Sequence, residues 1–263
     1  MNFSALSDRS WVGRLARLPL RAIPPEMKLP ILQGRLRGKK WIAGSSVHGC
    51  WLGSYEYNKR QVFEKVVASG SVVFDIGANV GYYTLLAAVL VGPRGKVVAF
   101  EPVPDNLRYL KEHLRLNHIA NVSVIEGAVS DHSGEMFFAE GGNLSEGHIA
   151  AEGKLQVKVF SLDDLTSDDI LPLPAYMKID VEGAEVSVLT GARKLVERAR
   201  PTIFLATHSR ILHQQCCDLL RSMNYELRPL GTDSIEQADE LFAQHACRAA
   251  VMRTVMAVKT CQW

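Results

Sequence analysis

Short apolar runs alternate with longer helical patterns along most of this chain, and the clearest example begins at residue 72. The sequence VVFDIGANVG (residues 72–81) opens with apolar and aromatic residues, passes through Asp75 and contains Gly77 and Gly81. A largely apolar stretch, residues 82–91, follows it. An apolar run too short for a membrane span, then glycines, then a longer run is typical of a buried strand, a tight turn and a helix. The segment therefore predicts a strand–turn–helix unit.

The same pattern recurs further along the chain. Core strands are predicted at residues 96–100, 122–125, 174–181 and 202–206, and helices at residues 105–117 and 210–223. In the first of these helices, leucines recur at the spacing of one apolar face. Strands that alternate with helices indicate an α/β fold with a parallel sheet.

Less regular segments lie before, within and after this series. They are two short strands within residues 31–44, a helix at 55–68, strands at 136–138 and 155–160, and two final strands at 225–230 and 250–258, with a loop and a short helix at 231–244. The loop at residues 141–153 is rich in glycine and polar residues, and it is either a substrate lid or a solvated hairpin tip.

Charge is unevenly distributed along the 263 residues. The net charge is +2, but residues 1–40 hold nine basic and two acidic residues, so this arm carries +7 and the rest −5. Within the arm, residues 10–25 alternate apolar residues with arginines, as in a short interfacial helix. The arm either binds an anionic phospholipid surface, nucleic acid or acidic partner, or packs on the domain with its arginines in water. We expect a basic N-terminal extension at residues 1–56 and one α/β domain at residues 57–263.

Several classes of protein do not fit the sequence. Arginines interrupt every candidate signal-peptide core, and no apolar run reaches the length of a membrane span. The five cysteines lack C-x-x-C spacing, so a zinc site or a disulfide framework is not expected. Cys216 and Cys217 are predicted to be core residues. A cytoplasmic protein with reduced thiols follows, with peripheral membrane contact through the basic arm left open.

Two acidic residues suggest which ligand the glycine turn would hold. Glu101 ends the strand after the turn, 24 positions beyond Gly77, where an acid can bind the hydroxyls of a ribose. The second glycine that a pyrophosphate needs is replaced by Asn79, and no P-loop motif is present. A nucleoside without phosphate, such as S-adenosylmethionine, suits these residues, because its cationic sulfur is attracted by a carboxylate such as Asp75.

Longer motifs strengthen this interpretation. They are GCWLGSYEYNKR (49–60), FDIGANVGYYT (74–84), VVAFEPVPDNLRYLKEHLRLN (97–117), GAVSDHSG (127–134), SLDDL (161–165) and MKIDVEGAEVSVLTGA (177–192). Together they cover about residues 45–210, and the sequence resembles the FkbM family of S-adenosylmethionine-dependent methyltransferases. The resemblance implies a Rossmann-like class I methyltransferase fold, with a central, mostly parallel seven-stranded sheet flanked by helices.

The resemblance also implies a set of cofactor contacts. We expect them at Glu56, Asp75, Gly77, Ala78, Asn79, Gly81, Thr84, Glu101, Pro102, Ala128, Asp131 and Asp180. Tyr55 and Glu56 would close over the methionine end of the cofactor, unless Glu56 only stabilises a helix start. Ala128 stands where related enzymes often carry an acid for the adenine amino group, so Asp131 or backbone groups would serve instead.

Three residues are predicted to take part in catalysis: Asp180, Glu182 and His208. Asp180 ends a core strand and would orient or deprotonate the acceptor hydroxyl, and His208 follows the next strand as a candidate general base. Asp180 and Glu182 would alternatively bind Mg²⁺, although no metal site is favoured. Glu182 and Glu185 are expected to open a helix together on one face. Lys178, two residues before Asp180, is expected to place its ammonium group near that carboxylate.

The preferred function is O-methylation of a hydroxyl on a small molecule, sugar or lipid-like natural product. RNA 2′-O-methylation is one alternative, because the basic arm would contact phosphates. The acidic sheet domain argues against it, and nucleic acid is not an expected partner. A non-catalytic nucleoside-binding relic is the other alternative.

Overall fold

The predicted series of strands and helices is present in the computed structural model, which describes residues 19–139, 148–150, 155–167 and 170–248. The strands are β1 (Lys28–Pro30), β2 (Lys40–Ile42), β3 (Val72–Ile76), β4 (Lys96–Glu101), β5 (Val122–Glu126), β6 (Ala128–Val129), β7 (Gly134–Ala139), β8 (His148–Ala150), β9 (Leu155–Phe160), β10 (Tyr176–Ile179), β11 (Thr202–Ala206), β12 (Tyr225–Pro229) and β13 (Glu240–His245). The α-helices are α1 (Gly49–Leu52), α2 (Tyr57–Val66), α3 (Tyr82–Val91), α4 (Pro104–Leu116), α5 (Leu162–Ser167), α6 (Glu185–Thr190), α7 (Arg193–Ala199) and α8 (Arg210–Ser222).

The main sheet has seven strands in the order β12-β13-β11-β10-β3-β4-β5. Strand β10 pairs in parallel with β3 and β11, and β4 pairs in parallel with β5. The last strand, β13, lies antiparallel between β11 and β12. The strands of the main sheet alternate with helices along the chain. The predicted Rossmann-like class I methyltransferase fold is therefore confirmed. The parallel order places the ends of successive strands along one edge of the sheet, where such folds bind ligands.

By contacts, the chain divides into two compact units, 1–71 with 78–126 and 72–77 with 127–263. In the first unit, the apolar face of α4 packs on the turn after β3 and on β4, in a cluster of Ala78, Ala99, Leu110 and Leu114. Gly81 has φ 91° and a side chain there would press on Leu110, so this glycine permits the close approach of α4. The predicted boundary at residues 56 and 57 stays a prediction.

In the second unit, the three strands β3, β10 and β11 are buried along their length, which explains their continuous apolar runs. Helices α6 and α8 contact each other, and α8 also packs on β12. A separate four-stranded sheet in the order β6-β9-β7-β8 accounts for the excursion predicted around residues 136–160. Cys216 and Cys217 are buried in α8, as expected.

Two predictions about the ends of the fold were wrong or only partly right. Among the described residues, the last strand of the main sheet is β13, which lies almost entirely within the segment expected to be a loop with a short helix. Its residues are nearly all buried and pair antiparallel with β11. The strand predicted at residues 250–258 lies outside the described residues. Upstream, β1 and β2 pair antiparallel. Only β2 lies within residues 31–44, where both strands were predicted, because β1 ends at Pro30.

Two further predictions fall mainly outside the described residues. The arm helix at residues 10–25 is described only from residue 19, where Pro19–Ala22 forms a 3-10 turn. The loop at residues 141–153 is described only at β8. Within the part of the chain that is described, none of the helices combines the length and apolar character that crossing a bilayer requires.

Candidate active site

The turn after β3 requires glycine at its first position. Gly77 has φ 75°, which L side chains rarely adopt, and a Cβ atom there would overlap the backbone carbonyl of Asp180. The ammonium group of Lys178 donates to the carbonyl oxygen of Gly77 at 3.0 Å. The turn therefore lies directly against the end of β10.

Glu101, at the end of β4, is tied to the following part of the turn. Its Oε2 accepts a hydrogen bond from the backbone N–H of Asn79 at 2.7 Å, and its Oε1 accepts from the N–H of Val103 at 3.0 Å and from the amide of Asn106 at 3.1 Å. The side chain is buried. Hydrogen bonds to an ionised carboxylate are stronger than neutral ones, so Glu101 fixes the backbone on both sides of itself.

His113 of α4 anchors the same turn from its other side. Its Nδ1 donates to the carbonyl oxygen of Val80 at 2.8 Å, and its Nε2 accepts from the N–H of Ile42 at 3.1 Å. The ring also stacks on Trp41 with 3.7 Å between centroids. Burial lowers the pKa of His113 to about 4, and the hydrogen bond to Val80 opposes that shift. The imidazole is therefore neutral, with its proton on Nδ1. No sequence pattern predicted the contact of His113 with Val80.

In the second unit, Lys178 lies between two carboxylates. Its Nζ is 3.5 Å from Asp75 Oδ1 and 3.4 Å from Asp180 Oδ2, and the Lys178 and Asp75 side chains are almost fully buried. The prediction that Lys178 approaches Asp180 is confirmed. The contact with Asp75, one strand away in β3, follows from the parallel register of β3 and β10.

His208 stands beside three carboxylates. Its Nε2 is 3.5 Å from Asp180 Oδ1 and 3.2 Å from Glu182 Oε2, and its Nδ1 is 2.6 Å from Glu185 Oε1. The hydrogen bond to Glu185 raises the pKa of His208; burial opposes this, and the charges of Glu182 and Asp180 add to it. The structure thus brings the three predicted catalytic residues together and adds Glu185 to them.

The spacing had suggested that Glu182 and Glu185 open one helix together, and this prediction was wrong for Glu182. Helix α6 begins at Glu185, because Glu182 and Gly183 have φ values of 50° and 108° and form a turn before it. Glu182 nevertheless reaches His208 from this turn. Glu185 is completely buried, and its Oε1 also accepts from the N–H of Gly183 at 3.0 Å.

Two residues with hydroxyl side chains, Thr207 and Ser209, precede the helix that follows β11. Ser209 is the capping residue, and its hydroxyl accepts from the N–H of Leu212 at 3.2 Å. The hydroxyl of Thr207 instead lies 3.0 Å from His213 Nδ1. His208 is the middle residue of the three-residue link between β11 and α8.

The remaining predicted cofactor residues lie in varied surroundings. Glu56 precedes α2 with φ 41° and pairs with Lys59 at 2.5 Å. Thr84 is completely buried in α3, and Ala128 is buried in β6. Asp131 is exposed and accepts a hydrogen bond from Ser130 at 3.1 Å. Pro102 is half-buried and directly follows Glu101. Their roles at a cofactor stay predictions.

A cation could also be held in the second unit. Among the described residues, ligand-type atoms of Asp180, Glu182 and His208 lie within 4.8 Å of one another. With Asp75 and Glu185, four carboxylates gather around one lysine and one histidine. This surplus of negative charge favours a cationic group, whether a sulfonium or a metal ion.

The mostly parallel seven-stranded sheet, whose strands alternate with helices, defines a protein of Rossmann-like class. A family model described as the methyltransferase FkbM domain matches residues 75–227, which is more than half of the chain. The chain belongs to the FkbM methyltransferase family. The resemblance inferred from the sequence motifs is confirmed.

Individual relatives agree with this assignment. Residues of this chain are 31% identical over 122 residues to the hexuronic acid methyltransferase AglP of Haloferax volcanii, covering 46% of this chain and 49% of that protein. They are 33% identical over 141 residues to the 31-O-demethyl-FK506 methyltransferase FkbM of Streptomyces tacrolimicus, covering 52% and 54%. The chain thus spans about half the length of these curated relatives.

One solved structure supports the fold. A methyltransferase FkbM from Methylobacillus flagellatus KT superposes with a TM-score of 0.51 and 18% identity, covering 66% of this chain and 43% of that one. At this identity the similarity concerns the fold alone.

Proposed function

We propose that this chain is an S-adenosylmethionine-dependent O-methyltransferase whose acceptor is a hydroxyl on a small molecule, a sugar or a lipid-like natural product. Membership of the FkbM family supports methyl transfer. The names of two relatives, a hexuronic acid methyltransferase and a 31-O-demethyl-FK506 methyltransferase, support a sugar or a natural product as acceptor. The observation that carries the proposal is the grouping of His208 with Asp180 and Glu182 at the strand ends.

The chain's residues fit this cofactor. In the first unit, Glu101 is the expected partner of the ribose hydroxyls. In the second unit, Asp75, Asp180 and their neighbouring carboxylates outnumber Lys178, and this excess charge suits a cationic sulfur. Crowding at Gly77 keeps the turn free of a side chain. S-adenosylmethionine, when bound, would supply an electrophilic methyl group on a sulfonium sulfur, which would keep the electron pair of the carbon–sulfur bond as the methyl group passes to the acceptor oxygen.

The protein's own contribution is the handling of the acceptor's proton. His208 Nε2 is the proposed general base, because it is partly exposed and lies between the carboxylates of Asp180 and Glu182. Asp180 would orient the acceptor hydroxyl and stabilise the imidazolium that forms. Alignment of the acceptor with the methyl group supplies much of the remaining rate.

A direct test combines binding and turnover. Calorimetry with S-adenosylmethionine and with its demethylated product should show binding at one site. Incubation of the labelled cofactor with uronic acids, neutral sugars and polyketide alcohols should transfer label to a hydroxyl of one class. Absence of cofactor binding would contradict the proposed activity, and transfer of label only to RNA would replace the proposed acceptor.

A metal requirement is tested in the same assay. If positioning and His208 suffice, EDTA leaves the rate unchanged, and added Mg²⁺ or Mn²⁺ does not raise it. A rate lost in EDTA and restored by one of these ions would assign Asp180, Glu182 and His208 to a cation instead.

A further inference from the structure

Glu185 contacts His208 on the ring nitrogen that faces away from Asp180 and Glu182. Its Oε1 lies 2.6 Å from His208 Nδ1 and also accepts from the N–H of Gly183 at 3.0 Å. The Glu185 side chain is 0% exposed, whereas that of His208 is 29% exposed. One side of the His208 ring is therefore held by a buried carboxylate oxygen that makes two hydrogen-bond contacts. The other side of the ring reaches solvent.

The distances decide where the neutral ring carries its proton. A contact of 2.6 Å is that of a strong, charge-assisted hydrogen bond. The contacts of Nε2 are 3.2 Å to Glu182 and 3.5 Å to Asp180, at or beyond the normal range for a nitrogen donor. The proton is therefore better placed on Nδ1, which leaves the lone pair on Nε2. Because Glu185 is the first residue of α6, its backbone is fixed by the helix.

We propose that Glu185 is a positioning residue, which holds the His208 proton on Nδ1 and so presents the Nε2 lone pair to the acceptor hydroxyl. This inference rests on the proposed function of His208 as a general base. It goes beyond it by naming the group that makes His208 a base in one defined orientation. The sequence analysis predicted only that Glu185 opens a helix together with Glu182.

The proton path follows from this arrangement. The acceptor hydroxyl gives its proton to Nε2 as its oxygen takes up the methyl group, and the ring becomes an imidazolium with protons on both nitrogens. Glu185 stabilises this cation at Nδ1, and Asp180 and Glu182 stabilise it at Nε2. The proton then leaves from Nε2 to solvent, and the Nδ1 proton stays on the ring throughout.

The groups around the pair come from four parts of the chain. Asp180 follows β10, Glu182 lies in the turn before α6, and Lys178 of β10 faces Asp180 from the other side. From α8, the buried thiol of Cys216 interacts with Glu185, and burial raises the pKa of that thiol to about 12, so it stays neutral. Glu185 is thus the charged group at Nδ1, and the other charges act at Nε2.

The first test needs neither cofactor nor acceptor. Nitrogen-15 spectra of the histidine-labelled protein, at a pH where His208 is neutral, report which ring nitrogen is protonated, and a His208→Gln variant identifies its signals. We expect a protonated Nδ1 in the parent protein and a rise of the Nε2-protonated form in Glu185→Leu. A parent ring protonated on Nε2, or a Leu variant with an unchanged ring, would overturn the proposal.

The second test is kinetic. In Glu185→Leu, we expect kcat to fall about 100-fold, the scale of general-base catalysis, while the KM of the acceptor and cofactor binding are unchanged. Glu185→Gln keeps an oxygen that can accept from Nδ1, so it should recover part of the rate. The acid limb of the kcat–pH profile of Glu185→Gln should move to lower pH, because the carboxylate that raises the pKa of His208 is gone. Glu112→Gln removes a partly exposed carboxylate, which pairs with Arg115 and Lys28, and serves as the control.

The outcomes separate this inference from the proposed function. If His208→Gln leaves turnover unchanged, the base role fails, whatever the ring spectra show. If His208→Gln abolishes turnover but both Glu185 variants keep the parental kcat and pH profile, only the positioning role fails. Should Glu185→Leu not fold, as thermal unfolding would show, the shift of the acid limb in Glu185→Gln decides: a limb that does not move overturns the proposal.

Discussion

Two strand ends in this protein each carry a carboxylate, and the two are used in opposite ways. Glu101 at the end of β4 spends its oxygens on two backbone N–H groups and the Asn106 amide. Asp180 after β10 contacts an ammonium group and an imidazole, which can exchange or compete for protons. The first carboxylate holds a turn in shape, whereas the second lies among ionisable groups.

The comparison teaches how position alone is ambiguous. Both acids follow a buried parallel strand, where ligands bind in this class of fold. A carboxylate bonded to backbone stabilises structure by an amount that its removal would reveal in unfolding. A carboxylate among titrating groups should reveal itself in rate and in pH dependence instead.

The largest expected effect concerns the backbone carbonyl of Asp180 and not its side chain. In Gly77→Ala, the new Cβ would overlap the Asp180 carbonyl, at a φ of 75° that alanine avoids, so we expect a loss above about 3 kcal/mol or failure to fold. Gly183→Ala is the matched control, because its φ is 108° but nothing lies within 4 Å, and it should cost about 1 kcal/mol. Urea unfolding measures both, and equal losses would contradict the steric explanation.

The second prediction tests the side chain of Asp180. Asp180→Asn keeps the shape but removes the charge beside His208 Nε2, so kcat should fall about 10²- to 10⁴-fold. The free energy of unfolding should change little, because Lys178 keeps its contact with Asp75. A variant that methylates at the parental rate would place Asp180 with Glu101 as a structural acid.

The third prediction concerns His113, which contacts the same turn as Glu101. His113 is neutral when folded, with its pKa lowered from 6.5 to about 4, so the unfolded chain gains a proton first as the pH falls. The stability this contributes is complete above pH 6.5 and is lost as the pH falls from 6.5 towards 4, by about 3 kcal/mol over that window. Urea unfolding at several pH values measures the loss. His113→Gln should be less stable at neutral pH and should lack this part of the pH dependence.

The smallest effect is predicted for Glu101 itself. In Glu101→Gln, one oxygen becomes an amide nitrogen that cannot accept from the N–H groups of Asn79 or Val103, so unfolding should become easier by about 2 kcal/mol. Glu126→Gln is the control: it lies opposite Glu101 on β5 but is exposed, and it should change stability by less than about 0.5 kcal/mol. Calorimetry of the same pair would show whether Glu101 also contributes to cofactor affinity.

Much of the fold could be predicted because its central strands β3, β4, β10 and β11 are almost entirely buried and therefore largely apolar. Thr202–Ala206 was predicted to the residue, and Tyr82–Val91 likewise, since glycines bound that helix on both sides. Strand β13 was missed because its polar, acidic flank resembles a loop, and only pairing with β11 reveals it.

The site was predicted less completely, for a different physical reason. Asp180 and His208 could be proposed from strand ends, which the chain order alone supplies. The contacts of Glu185 with His208 and of His113 with Val80 depend on tertiary packing across 23 and 33 residues, which no local pattern encodes. The one available signal for Glu185 was an acidic residue at a predicted helix start, two residues after Gly183.

The stacking of Trp41 on His113 gives the first unit an optical reporter of its own. The two stacked rings are nearly parallel, with 12° between their planes, and the indole is completely buried. A charged imidazole or water beside an indole alters its emission. The emission difference between the parent and a Trp41→Phe variant should therefore follow the loosening of the turn in acid, without any added label.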